Sequence, residues 1–124
     1  MVDNDEAMQS ALEALFGNRT AAKLMLYLYH YGQGYARGAA KDLGLAVSAV
    51  QRQLDKFEGA GLLVSTMVGN TRVYSFNPRQ PATSKLKELV RVFYEAMSIA
   101  ERERMFPTRR RPRRRGKPVI GEDT

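Results

Sequence analysis

The chain has no cysteine and a single histidine among its 124 residues. The first absence excludes disulfides, thiolate metal sites and cysteine nucleophiles together. The second leaves His30 with no other imidazole to share a metal, so a surface or capping role is expected for it. Long apolar runs are missing too: Leu24 to Tyr29 falls far short of the roughly 20 residues a helix needs to cross a bilayer. The acidic opening MVDNDEAMQ is unlike a secretory signal, so the expectation is a soluble, cytoplasmic protein without membrane contact. There is no Ser, His and Asp set in motif context and no phosphate-cradling glycine loop, and one core leaves no room for a substrate domain. An enzyme is therefore the least supported class, and no cofactor or metal is implied.

What the chain does have is positive charge, unevenly spread. Of the formal +7, residues 107–124 contribute seven Lys and Arg against two acids, a net of +5, and residues 1–106 contribute thirteen against eleven. Within the body the first sixteen residues are acidic, whereas Tyr35 to Gln80 carries six basic residues against three acidic ones. An electropositive middle is what a polyanion-binding module requires.

Hydrophobic spacing and punctuation predict five helices and one hairpin, with no internal repeat. Met8, Leu12, Leu15 and Phe16 mark a helix over Glu6 to Phe16, and Gly17 is placed to stop it in a left-handed conformation. Asn18 is placed to cap a second helix, Arg19 to Tyr31, with Leu24, Leu28 and Tyr31 as its core stripe. GQG breaks the pattern, and a short helix from Arg37 to Leu43 ends at Gly44. The fourth helix follows, stopped by Gly59, Ala60 and Gly61. LLVSTMV and TRVYSF, joined by Gly69 and Asn70, read as a β-hairpin with a two-residue turn. After Pro78 and Pro81 a single long helix is expected from Thr83 to Met105, its stripe formed by Leu86, Leu89, Val90, Phe93, Met97 and Ala100. From Pro107 onward the chain has too little apolar content to fold and is expected to be disordered.

The fourth helix has two distinct faces. Val47, Val50, Leu54 and Phe57 fall within one arc of about 80° at ~100° per residue, which predicts a core face. Opposite them lie Ser48, Ala49, Arg52, Asp55 and Lys56, with Gln51 at the edge. That outward face suits a DNA groove as well as it suits water.

Two helices joined by Gly44, Leu45 and Ala46, then a hairpin, then a further helix, carry a resemblance. The segment AAKDLGLAVSAVQRQLDKFEGAGLLVSTMVGNTRVYSFNP resembles the winged helix-turn-helix of small bacterial and archaeal transcription regulators of the ArsR type. Upstream, LFGNRTAAKLMLYLY is similar to the helix packed behind that motif in a branch whose members sometimes sit beside or within nucleotidyltransferase proteins. The resemblance covers about residues 15 to 106, with Ala40, Leu43, Gly44, Leu45, Val50, Leu54 and Gly61 on pattern positions that serve packing. Ala40 permits a close helix crossing and Gly44 a tight turn. The family usually places Ser or Thr where this chain has Ala46, so either Ser48 or the backbone alone must start the reading helix, a loss of ~1 kcal/mol. Metal-sensing branches carry Cys pairs or Asp and His clusters where this chain has AAKDL and KELVRVFYEA, so metal sensing is unsupported.

The resemblance implies a mainly α fold with a small β-hairpin: a winged-helix DNA-binding domain over residues 1–106 with dimerisation helices at its ends, then an Arg-rich tail over 107–124. Ser48, Ala49, Gln51, Arg52 and Lys56 are the implied DNA-reading set, with Asn70, Thr71 and Arg72 in the wing. A solvated helix face, and an arginine that discourages edge pairing, are the alternative readings. Tyr27, Tyr29, Tyr31 and Tyr35 suit core or dimer packing better than base stacking. Glu88 and Glu95 suit pairing along their own helix, Glu88 toward Arg91, better than metal binding. Arg109, Arg110, Arg111, Arg113, Arg114 and Arg115 read either as an arm that follows phosphates, or as a solvated end or general polyanion patch. The last helix presents more apolar surface than one small domain covers, so Leu12, Leu86, Leu89, Val90, Phe93 and Met97 are expected at a homodimer interface. The functional expectation is sequence-specific binding of duplex DNA by a homodimeric transcriptional regulator, a repressor in the first instance. The alternative is a winged helix used for protein contact or RNA binding, with the tail supplying affinity. The sequence names no small-molecule effector.

Overall fold

The computed structural model describes residues 4–108. The six tail arginines, and the expectation of disorder there, lie outside the described residues. The elements run α1 (Asn4–Phe16), α2 (Arg19–Tyr31), α3 (Ala36–Leu43), α4 (Val47–Gly59), β1 (Leu63–Val68), β2 (Thr71–Phe76), α5 (Thr83–Ala96) and α6 (Ile99–Met105). The result is a mainly helical fold with one antiparallel hairpin, compatible with a winged-helix arrangement. No helix among the described residues is long and apolar enough to cross a membrane.

The core is built around α2. Gly17 takes a φ of 88° after α1, and the Asn18 side chain accepts a hydrogen bond from the Ala21 N–H at 2.7 Å, so the new helix begins at once. Ala21, Ala22 and the run from Leu24 to Tyr27 and Leu28 are buried, because α1, α3, α4 and α5 all pack on this helix. A helix covered on so many sides is apolar nearly all round. Each fully buried leucine or methionine here stabilises the fold by about 1.5–3 kcal/mol. Lys23 is the partly exposed exception: burial, reinforced by Arg19, pushes its ammonium below the usual lysine range, while Glu13 and Glu101 oppose the shift.

Ala39 and Ala40 are buried where α3 meets α4, and Gly44 turns the chain in the left-handed region at φ 69°. Val50, Leu54 and Phe57 bury as the periodicity predicts. Val47 does not, with 42% of its surface exposed. It is the first residue of α4, so it stands ahead of the turn that reaches the core.

The hairpin pairs Leu63 with Phe76 through Val68 with Thr71, leaving Gly69 and Asn70 as the turn. Only Gly69 has positive φ, at 63°, and a left-handed first central residue is the II′ type that matches strand twist. The register places Leu63, Ser65, Tyr74 and Phe76 on one face, and the three large members bury. Beside β2, the GQG segment does more than break a helix. Gly32 ends α2 at φ 84°, whereas Gly34 exchanges hydrogen bonds with Tyr74 at 3.0 and 2.8 Å. A Cβ on Gly34 would stand 2.8 Å from the Tyr27 ring, so glycine is what lets the chain pass that close.

The single long helix expected from Thr83 to Met105 is two helices. Met97 and Ser98 are extended, with ψ of 145° and 158°, and the Ser98 hydroxyl accepts from the Glu101 N–H at 3.1 Å to start α6. Ser-Ile-Ala-Glu carries the spacing of a capping box, which the continuous apolar pattern overlaid. The break lets α6 bring Phe106 against His30, their rings stacked 4.7 Å apart at 13°. His30 Nδ1 lies 2.6 Å from the Tyr94 hydroxyl, and Tyr31 donates to the Pro107 carbonyl at 2.8 Å.

The residues expected at a homodimer interface differ in their exposure. Leu12, Val90 and Met97 are buried within the single chain. Leu86 and Phe93 are half-buried against the same core. Leu89 is 38% exposed and is joined by Val92 at 59%, a residue the sequence reading did not select. The surface ion pairs of α5 are Lys85 with Glu88 and Arg91 with Glu95, both 3.5 Å, in place of Glu88 with Arg91.

Candidate nucleic-acid interface

α4 starts on backbone alone. Ala46, extended at ψ 138°, accepts from the Val50 N–H at 3.1 Å, and no side chain caps the helix. Of the two starts open to the sequence, the one without Ser48 is realised. The first-turn amides of α4 therefore keep their partial positive charge without a protein oxygen beside them.

Ser48, Arg52 and Lys56 are exposed and follow one another at four-residue spacing, which lines them along one ridge of α4. Ala49 and Gln51 are half-buried and sit apart from that ridge in function. The Gln51 amide donates to the Tyr74 hydroxyl at 3.0 Å and to Asp55 at 2.9 Å, so it ties α4 to the hairpin. The Lys56 ammonium stands 4.9 Å from the Phe57 ring centroid.

At the hairpin, Asn70 and Arg72 are exposed and Thr71 is half-buried. Arg72 donates to the Ser65 hydroxyl at 3.0 Å, and Ser65 donates to Glu58 at 2.6 Å. This relay fixes the hairpin to the C-terminal half of α4, so the two elements present one continuous surface. Ser65 and Glu58 were missed by sequence reasoning; Ser65 lies diagonal to Arg72 across the strands, a relation that exists only once register is set.

The balance of charge differs between the two halves of the fold. Arg37, Lys41, Arg52, Lys56, Arg72 and Arg79 are all exposed, and none forms an ion pair among the described residues. The acids of that stretch are engaged by neutral donors instead: Asp42 by the Tyr27 hydroxyl at 2.9 Å, Asp55 by Gln51 and Glu58 by Ser65. On α5 and α6 Lys85, Arg91 and Arg104 each have a carboxylate partner, whereas Lys87 and Arg102 have none among the described residues, and Arg102 donates to the Met97 carbonyl at 3.1 Å.

The tyrosines take packing roles. Tyr27 is buried, Tyr29 lies 5.1 Å from Tyr94, and Tyr31 contacts both Tyr27 and Phe106. Among the described residues no three His, Asp or Glu side chains gather closely enough to hold a metal ion. No protein-family model, no curated protein and no solved structure matches this chain.

Proposed function

We propose that the chain is a winged helix-turn-helix protein of ArsR-like type that binds duplex DNA as a homodimer and represses transcription. The observation that carries the reading is the set of six exposed cations from α3 to the loop after the hairpin, none of them paired with a carboxylate among the described residues. Exposed charges without carboxylate partners are available to phosphates, and each phosphate neutralised releases counterions. In this reading the α4 ridge enters the major groove: Arg52 reads a base edge, Ser48 lies at the entering end, and Lys56 meets backbone. Arg72 and Arg79 follow the flanking phosphates or minor groove, with Asn70 and Thr71 at the wing tip. Leu89 and Val92 form the seam between copies, which sets two α4 helices about one DNA turn, ~34 Å, apart.

A protein partner has one observation in its favour. Val47 at the start of α4, and Met67 and Val68 at the hairpin tip, are exposed apolar side chains on the same part of the fold. Selection from random duplex DNA and random RNA pools at physiological salt separates the readings. Enrichment of an inverted repeat with half-sites about ten base pairs apart supports the regulator. Enrichment of RNA alone, or of neither pool, overturns it.

A further inference from the structure

Away from the α4 surface, a cleft of about 600 Å³ lies between the end of α2, the end of β2 and the start of α5. Its size is that of a small-molecule pocket. Tyr29, Phe76, Pro78 and Pro81 supply an apolar wall on one side. The other side is the first turns of α5, and four features there point to an anion.

The N-cap Ala82 supplies no side-chain cap and the first turn holds no acidic residue; Gln80 accepts from the Ala82 and Thr83 N–H groups at 3.3 and 3.0 Å, and the amides that follow carry the positive end of the helix. Thr83, the first residue of α5, lines the cleft, is only 3% exposed, and its hydroxyl has no hydrogen-bond partner. A buried hydroxyl left this way costs free energy until an acceptor reaches it. Lys87 lines the cleft without an ion pair among the described residues, its ammonium 5.9 Å from the Phe76 ring centroid. Arg91 lies in the same lining, its partner Glu95 3.5 Å away and more than half exposed, a contact that solvent screens. The one acid in the lining, Glu88, pairs with Lys85 at 3.5 Å across a likewise exposed contact, and solvent screens its repulsion of an anion as it screens that pair.

We propose that this cleft binds a small aromatic carboxylate, its ring against Tyr29 and Phe76 and its carboxylate at the start of α5, accepting from Thr83 and facing Lys87. The site is independent of the DNA reading, because binding is measured on the protein alone.

The test uses 2-naphthoate and its uncharged counterpart 2-naphthamide, titrated into the full-length chain with amide chemical shifts as the readout. The naphthoate is expected to bind at least about tenfold more tightly than the amide, the factor that a hydrogen bond to a charged group supplies. The shifts should map to Tyr29, Phe76, Ser84 and Lys87. Lys87→Gln, on an exposed side chain, should leave the fold intact and abolish most of the preference for the acid. Equal affinity for acid and amide, shifts confined to α3 and α4, or no binding of either at about 1 mM, the weak end of specific affinities, overturns the proposal.

Discussion

Replacing Arg52 by alanine separates binding from stability more cleanly than any other change on the α4 ridge. The guanidinium is exposed and has no ion pair or hydrogen bond among the described residues. Its loss removes no contact of the fold, and alanine is a slightly better helix former. The expected change in unfolding free energy is within ~0.5 kcal/mol, or roughly 4 °C in melting temperature at most for a domain of this size. Binding should respond very differently. A bidentate base contact is worth about 1–3 kcal/mol, so affinity for a selected site should fall roughly fivefold to 150-fold. A phosphate contact would instead weaken all duplexes alike and lower the salt slope by ~0.9. Fluorescence anisotropy on the selected duplex and on scrambled duplexes, each at several salt concentrations, distinguishes the two. Wild type and Arg52→Ala binding every duplex equally at every salt concentration would refute the assignment of α4 as the reading element.

Four further expectations follow from the geometry. Gly34→Ala drives a Cβ to 2.8 Å from the buried Tyr27 ring and should destabilise by about 1–3 kcal/mol in a urea melt; an unchanged midpoint would mean the strand moves freely away from α2. Leu89→Glu with Val92→Glu places charge on the exposed face of α5 and should yield well-folded monomers by ultracentrifugation that have lost tight site binding. A monomeric wild type at micromolar concentration would count against the dimer. Truncation after Thr108, which spares the contact between Tyr31 and Pro107, should weaken binding to all duplexes by a similar factor and lower the salt slope by up to ~5; an unchanged slope would show that the tail does not touch DNA. Lys23 should titrate below the usual lysine range when its side-chain carbon signals are followed by NMR. Because its folded pKa is depressed, the charged form is disfavoured in the fold. The resulting penalty is present below the folded pKa and is relieved as pH rises from there toward the unfolded value, so stability should gain along that alkaline limb.

How much of this was written in the sequence depends on the range over which each feature acts. Gly17, Asn18 and Gly44 act on their own turn of chain, and each has the conformation its residue type and position predict. The spacing of Val50, Leu54 and Phe57 set the inner face of α4, because one helix repeats every 3.6 residues wherever it sits. The β-branched runs around Gly69 set the hairpin. The continuous stripe from Leu86 to Ala100 misled, since apolar spacing says which residues want cover and not whether the helix is unbroken; Ser98 and Glu101 held that information locally.

Partnership across the fold had no local signal. The apolar pattern alone put Leu12, Val90, Met97 and Leu89 in one class, and only the packing of α1, α2 and α5 divides the first three, which are covered, from the last, which is not. Gln51 faces Tyr74, Arg72 meets Ser65, and Gly34 slides past Tyr27 because strands and helices far apart in sequence arrive at the same place. The cleft at the start of α5 is a gap between three such elements, and none of them contains it. The sequence determined what each segment would become, since torsional preference and periodicity are properties of a few adjacent residues. Only the tertiary structure decided which side chains were left exposed, unpaired or unsatisfied, because those are properties of what each segment is packed against.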